Sequence, residues 1–176
     1  MTAPDLRYPV GLYESPAEYA ASWRSACIDA IAGTPAAMRA ALHGLTEAQL
    51  DTPYRPGGWT VRELTHHVPD SHLNAYIRLK LALTEDVPTI KAYDEAAWAR
   101  LDDSRTTPID VSLALLEAVH DRFVRLLRVM SDDDFARCYR HPDTGEHSLN
   151  HLTGLYAWHG RHHVAHITAL RARERF

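Results

Sequence analysis

Apolar residues recur along this chain at helical rather than alternating spacing. Residues 18–31 carry Tyr19, Trp23, Cys27 and Ile31 on one stripe. Gly33-Thr34-Pro35 interrupts the pattern, since proline lacks an N–H and crowds the preceding turn. It resumes over 36–43 with Met38, Ala41 and Leu42, either as a new segment or as the far half of one kinked helix. Thr46 to Gln49 reads as the start of a single turn, and 53–58 as a loop. Thr60 and Glu63 form a capping box that opens a second long helix reaching about residue 84. Pro69 falls inside it and is expected to bend it.

Residues 85–88 end that helix, and 94–101 read as a short helix in a long connection. A third long helix over 110–130 turns Leu116, Val119, Phe123, Leu126, Leu127 and Met130 inward. Ser131, ahead of Asp132, Asp133 and Asp134, caps one further turn. His141-Pro142-Asp143-Thr144-Gly145 signals a turn, closing a small hairpin or an irregular loop. Ser148 caps a last helix that runs nearly to the C-terminus. Four long helices without strand alternation predict an all-α four-helix bundle with short extra helices, and 176 residues suit one domain spanning 1–176.

Hydrophobic residues make up 45% and charged residues 24%, ordinary values for a globular chain. The formal charge of −4 and the lack of a Lys/Arg cluster argue against nucleic acid as a partner. No stretch approaches the length of a membrane span. The lead over residues 1–13, with Pro4, Asp5, Arg7 and Pro9, lacks the apolar run of a secretory signal. The two cysteines, Cys27 and Cys138, are too few for a disulfide framework and read as reduced thiols. A cytoplasmic protein is expected.

Histidine stands out. The chain has 12, and seven fall in the segments 65–72 and 158–166. On a helical wheel with Leu152 at zero, His159 and His163 fall at about −20° and +20°, the centre of the apolar stripe. His166 lies at about −40°, within reach of a bound ligand in a supporting role, and His162 sits at the margin at about −80°. In the second helix, with Leu64 at zero, His67 lies at about −60° on the core side and His66 points away at about 200°. Buried imidazoles without partners cost about 1–3 kcal/mol each, and a shared cation removes that cost. His67, His159 and His163 are therefore the candidate ligands of one divalent metal with an open fourth position, as in catalytic zinc sites. Zinc or nickel suits the set, and iron or manganese could occupy it.

A di-iron carboxylate bundle would instead use Glu63/His66 and Glu117/His120. Glu63 is engaged in its capping box, Glu117 lies about 120° from the centre of its helix's apolar stripe, and the last helix has no glutamate before Glu174. That alternative fails.

Trp59-Thr-Val-Arg-Glu-Leu-Thr-His-His67, followed by Asp70-Ser71-His72 and Tyr76-Ile77-Arg78, resembles the second helix of the DinB/YfiT superfamily. The run from Trp158 through His159, His162, His163 and His166 resembles that family's last helix, and the stretch from Asp51 to Trp59 is similar to the YfiT branch. The similarity extends from Tyr8 to the last helix. It implies the same bundle, a metal on His67, His159 and His163 plus water, and a homodimer. His166 stands where many relatives have glutamine.

The resemblance also implies activity. It points to a bacillithiol-type S-transferase joining a low-molecular-weight thiol to a small electrophile, or to a metal-dependent hydrolase. Either use suits an open metal position, which lowers the pKa of a bound thiol or water. A metal-binding stress protein without chemistry is the remaining reading. Asp70, Tyr76 and Arg78 could contact substrate or tie helices together. No Gly-x-Ser-x-Gly elbow and no glycine-rich phosphate loop is present.

Overall fold

The computed structural model describes residues 5–176. Met1 to Pro4, the opening of the lead read above as lacking a secretory signal, lie outside the described residues. Four long helices dominate: α1 (Ala21–Leu42), α3 (Val61–Thr84), α6 (Ile109–Leu127) and α8 (Leu149–Glu174). Short helices fill the connections, namely α2 (Glu47–Leu50), α4 (Glu95–Ala99), α5 (Asp103–Thr106) and α7 (Asp132–Ala136). A hairpin of β1 (Cys138–His141) and β2 (Gly145–Ser148) precedes the last helix. Among the described residues no helix is long and apolar enough to cross a membrane.

Local capping sets most of these boundaries. Thr60 and Glu63 close the expected box at the head of α3, as do Thr46 and Gln49 for α2 and Ser131 and Asp134 for α7. Ser148 Oγ accepts from the His151 amide to start α8. Of the two readings left open at Pro35, the structure takes the continuous one: α1 runs from Ala21 to Leu42 with Pro35 inside it. The third long helix stops at Leu127 rather than near 130, because the Ser131 box begins a new helix and leaves Val129 78% exposed. Leu126 and Met130 are accordingly only half-buried.

The topology is not a simple up-and-down meander. α1 and α3 each pack against both α6 and α8, so the first two long helices sit across the bundle from one another, as do the last two. Crossing the bundle requires long connections. One is tied down by an unforeseen strand-like contact: the Arg140 amide donates to the Pro88 carbonyl at 2.9 Å, and the Ile90 amide donates to the Arg140 carbonyl at 2.9 Å. The hairpin pairs Cys138 with Ser148 and His141 with Gly145, delivering the chain directly into α8.

Two apolar cores fill the bundle, one at each end. Ile31, Leu79, Phe123 and Leu152 belong to the first, and Met38, Leu64, Leu116 and Ile167 to the second. On every long helix the switch between them falls on polar residues: Thr34 on α1, His67 and His72 on α3, His120 on α6, and the 159–166 run on α8. The histidines thus form a polar layer across the waist.

Gly160 lets α8 approach α1 at this level. A Cβ there would lie 2.5 Å from Thr34 Oγ1 and 2.8 Å from its Cγ2, and Thr34 is buried with its hydroxyl donated to the Ala30 carbonyl. Gly160→Val is expected to cost about 1–3 kcal/mol through overpacking. Gly160→Ala should cost less, since about 1 kcal/mol of helix propensity offsets part of the clash. Urea unfolding checks both, and unchanged stability in the valine variant would refute the close-approach account.

Candidate metal centre

The waist brings together the three histidines expected as ligands. His67 on α3 faces His159 and His163 on α8, with ring centroids 5.4 and 5.0 Å away, and one nitrogen from each of the three lies within 4.8 Å of the others. The Nε2 atoms of His159 and His163 are 3.2 Å apart. Two nitrogens bound to one tetrahedral ion at about 2.0–2.1 Å stand about 3.3 Å apart, so this donor pair fits a divalent metal without rearrangement. The bases are neutral, as ligation requires. Burial pushes the His67 pKa down to about 4, and burial reinforced by neighbouring imidazoles holds His159 and His163 well below the ordinary histidine value.

Each ligand is supported. Trp59, one residue before the cap of α3, lies 4.6 Å from the His67 ring. His159 Nδ1 is 3.1 Å from His72 Nε2, His72 Nδ1 is 2.8 Å from His120 Nε2, and His120 Nδ1 is 2.7 Å from the Ile31 carbonyl. That carbonyl is available because its usual helical donor would be the amide of residue 35, which is a proline. His163 Nδ1 lies 3.4 Å from His166 Nδ1, and His166 Nε2 lies 3.1 Å from the Arg7 carbonyl. His166, expected in a supporting role, thus stands between His163 and the N-terminal lead.

Two histidines depart from the reading by helical phase, and a third takes a part not weighed for it. His66 was expected to point away from the core but is buried, with Nδ1 2.7 Å from Ser112 Oγ on α6. His162 is buried rather than marginal, because Trp158 stacks on its ring at 4.3 Å and the N-terminal lead brings Tyr8 to 5.9 Å. His120, considered only as half of a di-iron pair, carries the Ile31 bond, whereas Glu117 is exposed and pairs with Arg39. No signal in the sequence exposes a partner that is a backbone carbonyl on another helix. His162, His163 and His166 also converge closely enough to hold an ion. That set shares His163 with the first, lies on α8 alone, and has His166 Nε2 committed to the Arg7 carbonyl.

The first triad opens on a cavity of about 420 Å3 walled by Tyr54, Trp59 and Trp158. Arg55 lines it without an ion pair among the described residues, and its Nε is buried without a partner. Among the described residues Glu95 is the one carboxylate in the lining, and it is exposed. On the other side of His159, a cavity of about 280 Å3 is lined by Ser71, Tyr93, Tyr156 and Arg78, and Arg78 makes no hydrogen bond or ion pair among the described residues. Tyr76 instead packs toward Phe123 with Lys80 and Arg122 over its ring, tying α3 to α6. Asp70 lines neither cavity, and burial raises its pKa to about 6.

Residues 30–167 match the model of the DinB superfamily. A Bacillus cereus protein provisionally named a metal-dependent hydrolase is 52% identical over 169 residues, spanning 96% of this chain and 97% of its own length. A Bacillus anthracis protein of the same provisional name matches to the same extent. YfiT from Bacillus subtilis, described as a probable metal-dependent hydrolase with an unusual four-helix bundle topology, is 46% identical. Its structure gives a TM-score of 0.95 over 97% of this chain and 98% of its own. TT2238, a four-helix bundle protein, is 20% identical with a TM-score of 0.59 over 85% of this chain, a likeness of fold alone.

The buried histidines predict how metal-free protein responds to acid. His67, His120 and His162 each have folded values of about 4 against 6.5 for the free group. Above pH 6.5 they are neutral folded or unfolded and cost nothing. As pH falls from 6.5 toward 4 the unfolded chain takes up protons that the folded chain refuses, so stability declines. Urea midpoints measured on chelator-treated protein should be flat from pH 8 to 7 and fall steadily below 6.5. A midpoint constant down to pH 4.5 would contradict the burial of neutral imidazoles.

Proposed function

The chain belongs to the DinB superfamily, and from that footing we propose a metal-dependent enzyme that joins a low-molecular-weight thiol of the bacillithiol type to a small electrophile. His67, His159 and His163 hold one divalent ion, zinc or nickel first. The observation that carries this reading is the composition of the cavity: three neutral imidazoles at its floor and no carboxylate save the exposed Glu95.

When bound, the ion supplies Lewis acidity that lowers the pKa of a coordinating thiol. A free thiol near pKa 8.5 needs only that assistance, whereas water starts from about 15.7 and gains from a nearby general base. Among the described residues Glu95 is the sole carboxylate in the lining of the cavity, and its side chain is exposed. Arg55, without an ion pair among the described residues and with its Nε buried and unpartnered, receives an acidic group on the thiol. Tyr54, Trp59 and Trp158 offer flat apolar walls for the organic electrophile and exclude water from the nucleophile.

Metal-dependent hydrolysis is the second reading, favoured by the provisional names of relatives 52% identical to this chain. The two separate in one assay. Zinc-loaded protein is given a thiol with a chromogenic electrophile, and separately an activated ester without thiol. Thiol-dependent conjugation that disappears, along with bound zinc, in His163→Ala is the expected result. Ester turnover that needs no thiol would move the assignment to hydrolase, and neither activity in fully zinc-loaded protein would overturn the enzymatic reading.

A further inference from the structure

The hydrogen bonds behind the ligands have a direction. A backbone carbonyl can only accept, so the nitrogen facing it must carry the proton, and a neutral imidazole has one N–H and one lone pair. Beginning at Ile31, His120 donates through Nδ1, which leaves its Nε2 to accept. His72 then donates through Nδ1 to that Nε2, and its own Nε2 accepts. His159 donates through Nδ1 to His72, and its Nε2 lone pair is turned to the cavity floor.

The same logic runs from the other side of the bundle. Arg7 fixes the proton of His166 on Nε2, so Nδ1 accepts from His163 Nδ1. His163 Nε2 is then also a bare lone pair. Two separate carbonyls on two different segments therefore leave two lone pairs facing each other at 3.2 Å, an arrangement that repels unless a cation sits between them.

We infer that His72, His120 and His166 are positioning residues, two carbonyl-anchored imidazole chains that lock His159 and His163 in the Nδ1–H form and present both Nε2 atoms to one metal ion. The Pro35 ring is part of the device, since an amide at that position would compete for the Ile31 carbonyl. None of the three belongs to the first triad, although His166 also lines the cavity. Their effect is on the affinity of the site and on which nitrogen binds.

This inference rests on the triad as a metal site, and its test separates the two. Histidine-labelled protein is examined by long-range 1H–15N correlation, first metal-free and then with zinc. In the metal-free protein His72 and His120 should be Nδ1–H forms and His166 an Nε2–H form, a result that does not depend on metal binding. With zinc, His159 and His163 should bind through Nε2 and retain Nδ1–H. The opposite form at His120 or His166, or zinc on Nδ1 of either ligand, would overturn the proposal.

Affinity gives the second readout. His120→Leu and His166→Leu should each weaken zinc binding about 10- to 100-fold in chelator competition. His120→Gln and His166→Gln should recover most of it, because one amide offers both a donor for the carbonyl and an acceptor for the next imidazole. Equal affinities for leucine and glutamine variants would sink the directional account, and the resonance assignment on unaltered protein decides it even where a leucine variant does not fold.

Discussion

Pro35 cannot donate to the carbonyl of Ile31, and the waist of the bundle is organised around that missing bond. A helical carbonyl stripped of its donor inside a core must find another partner. Here the partner is His120 on the neighbouring α6, and through His72 the bond continues to His159 on α8. What reads locally as a helix breaker is thus the terminus of a hydrogen-bonded path that crosses three helix interfaces. Burying this many imidazoles is tolerable because nearly every nitrogen along the path has a partner, and the pair left over faces the cavity.

The polar layer in turn needs the two apolar cores that flank it. Each end of the bundle is closed by interdigitated aliphatic and aromatic side chains, so the histidines are clamped from above and below while remaining open on one side. The crossed topology matters here. With α3 and α8 adjacent and α1 and α6 bracing them, the ligands come from two touching helices, and the paths behind them run through His72 and His166 on those same helices to end on α1, by way of His120 on α6, and on the N-terminal lead. A cluster held this way combines packed donors with one side open to a cavity.

Much of this was legible in the sequence because it is local. Capping boxes at Thr46, Thr60 and Ser131 and the cap at Ser148 depend on side chains within one turn, and they mark four helix starts in their true places. Helical phase was enough to bring His67, His159 and His163 to one point, since all three lie on apolar stripes. Phase failed where burial comes from something other than the bundle axis. His66 is covered by α6 through Ser112, and His162 by Trp158 and the lead. The part played by His120, and what compensates the bond that Pro35 leaves open inside α1, were out of reach for one shared reason: the compensating partner is a main-chain group or an imidazole from a distant segment, which leaves no pattern along the chain.

The metal proposed for the waist sits on three histidines and keeps one coordination position free. X-ray absorption at the zinc edge of stoichiometrically loaded protein tests it most directly. Three imidazole nitrogens and one further light donor at about 2.0–2.1 Å are the predicted shell. A sulfur neighbour at about 2.3 Å, or a zinc spectrum unchanged when His159 is replaced by alanine, would contradict it.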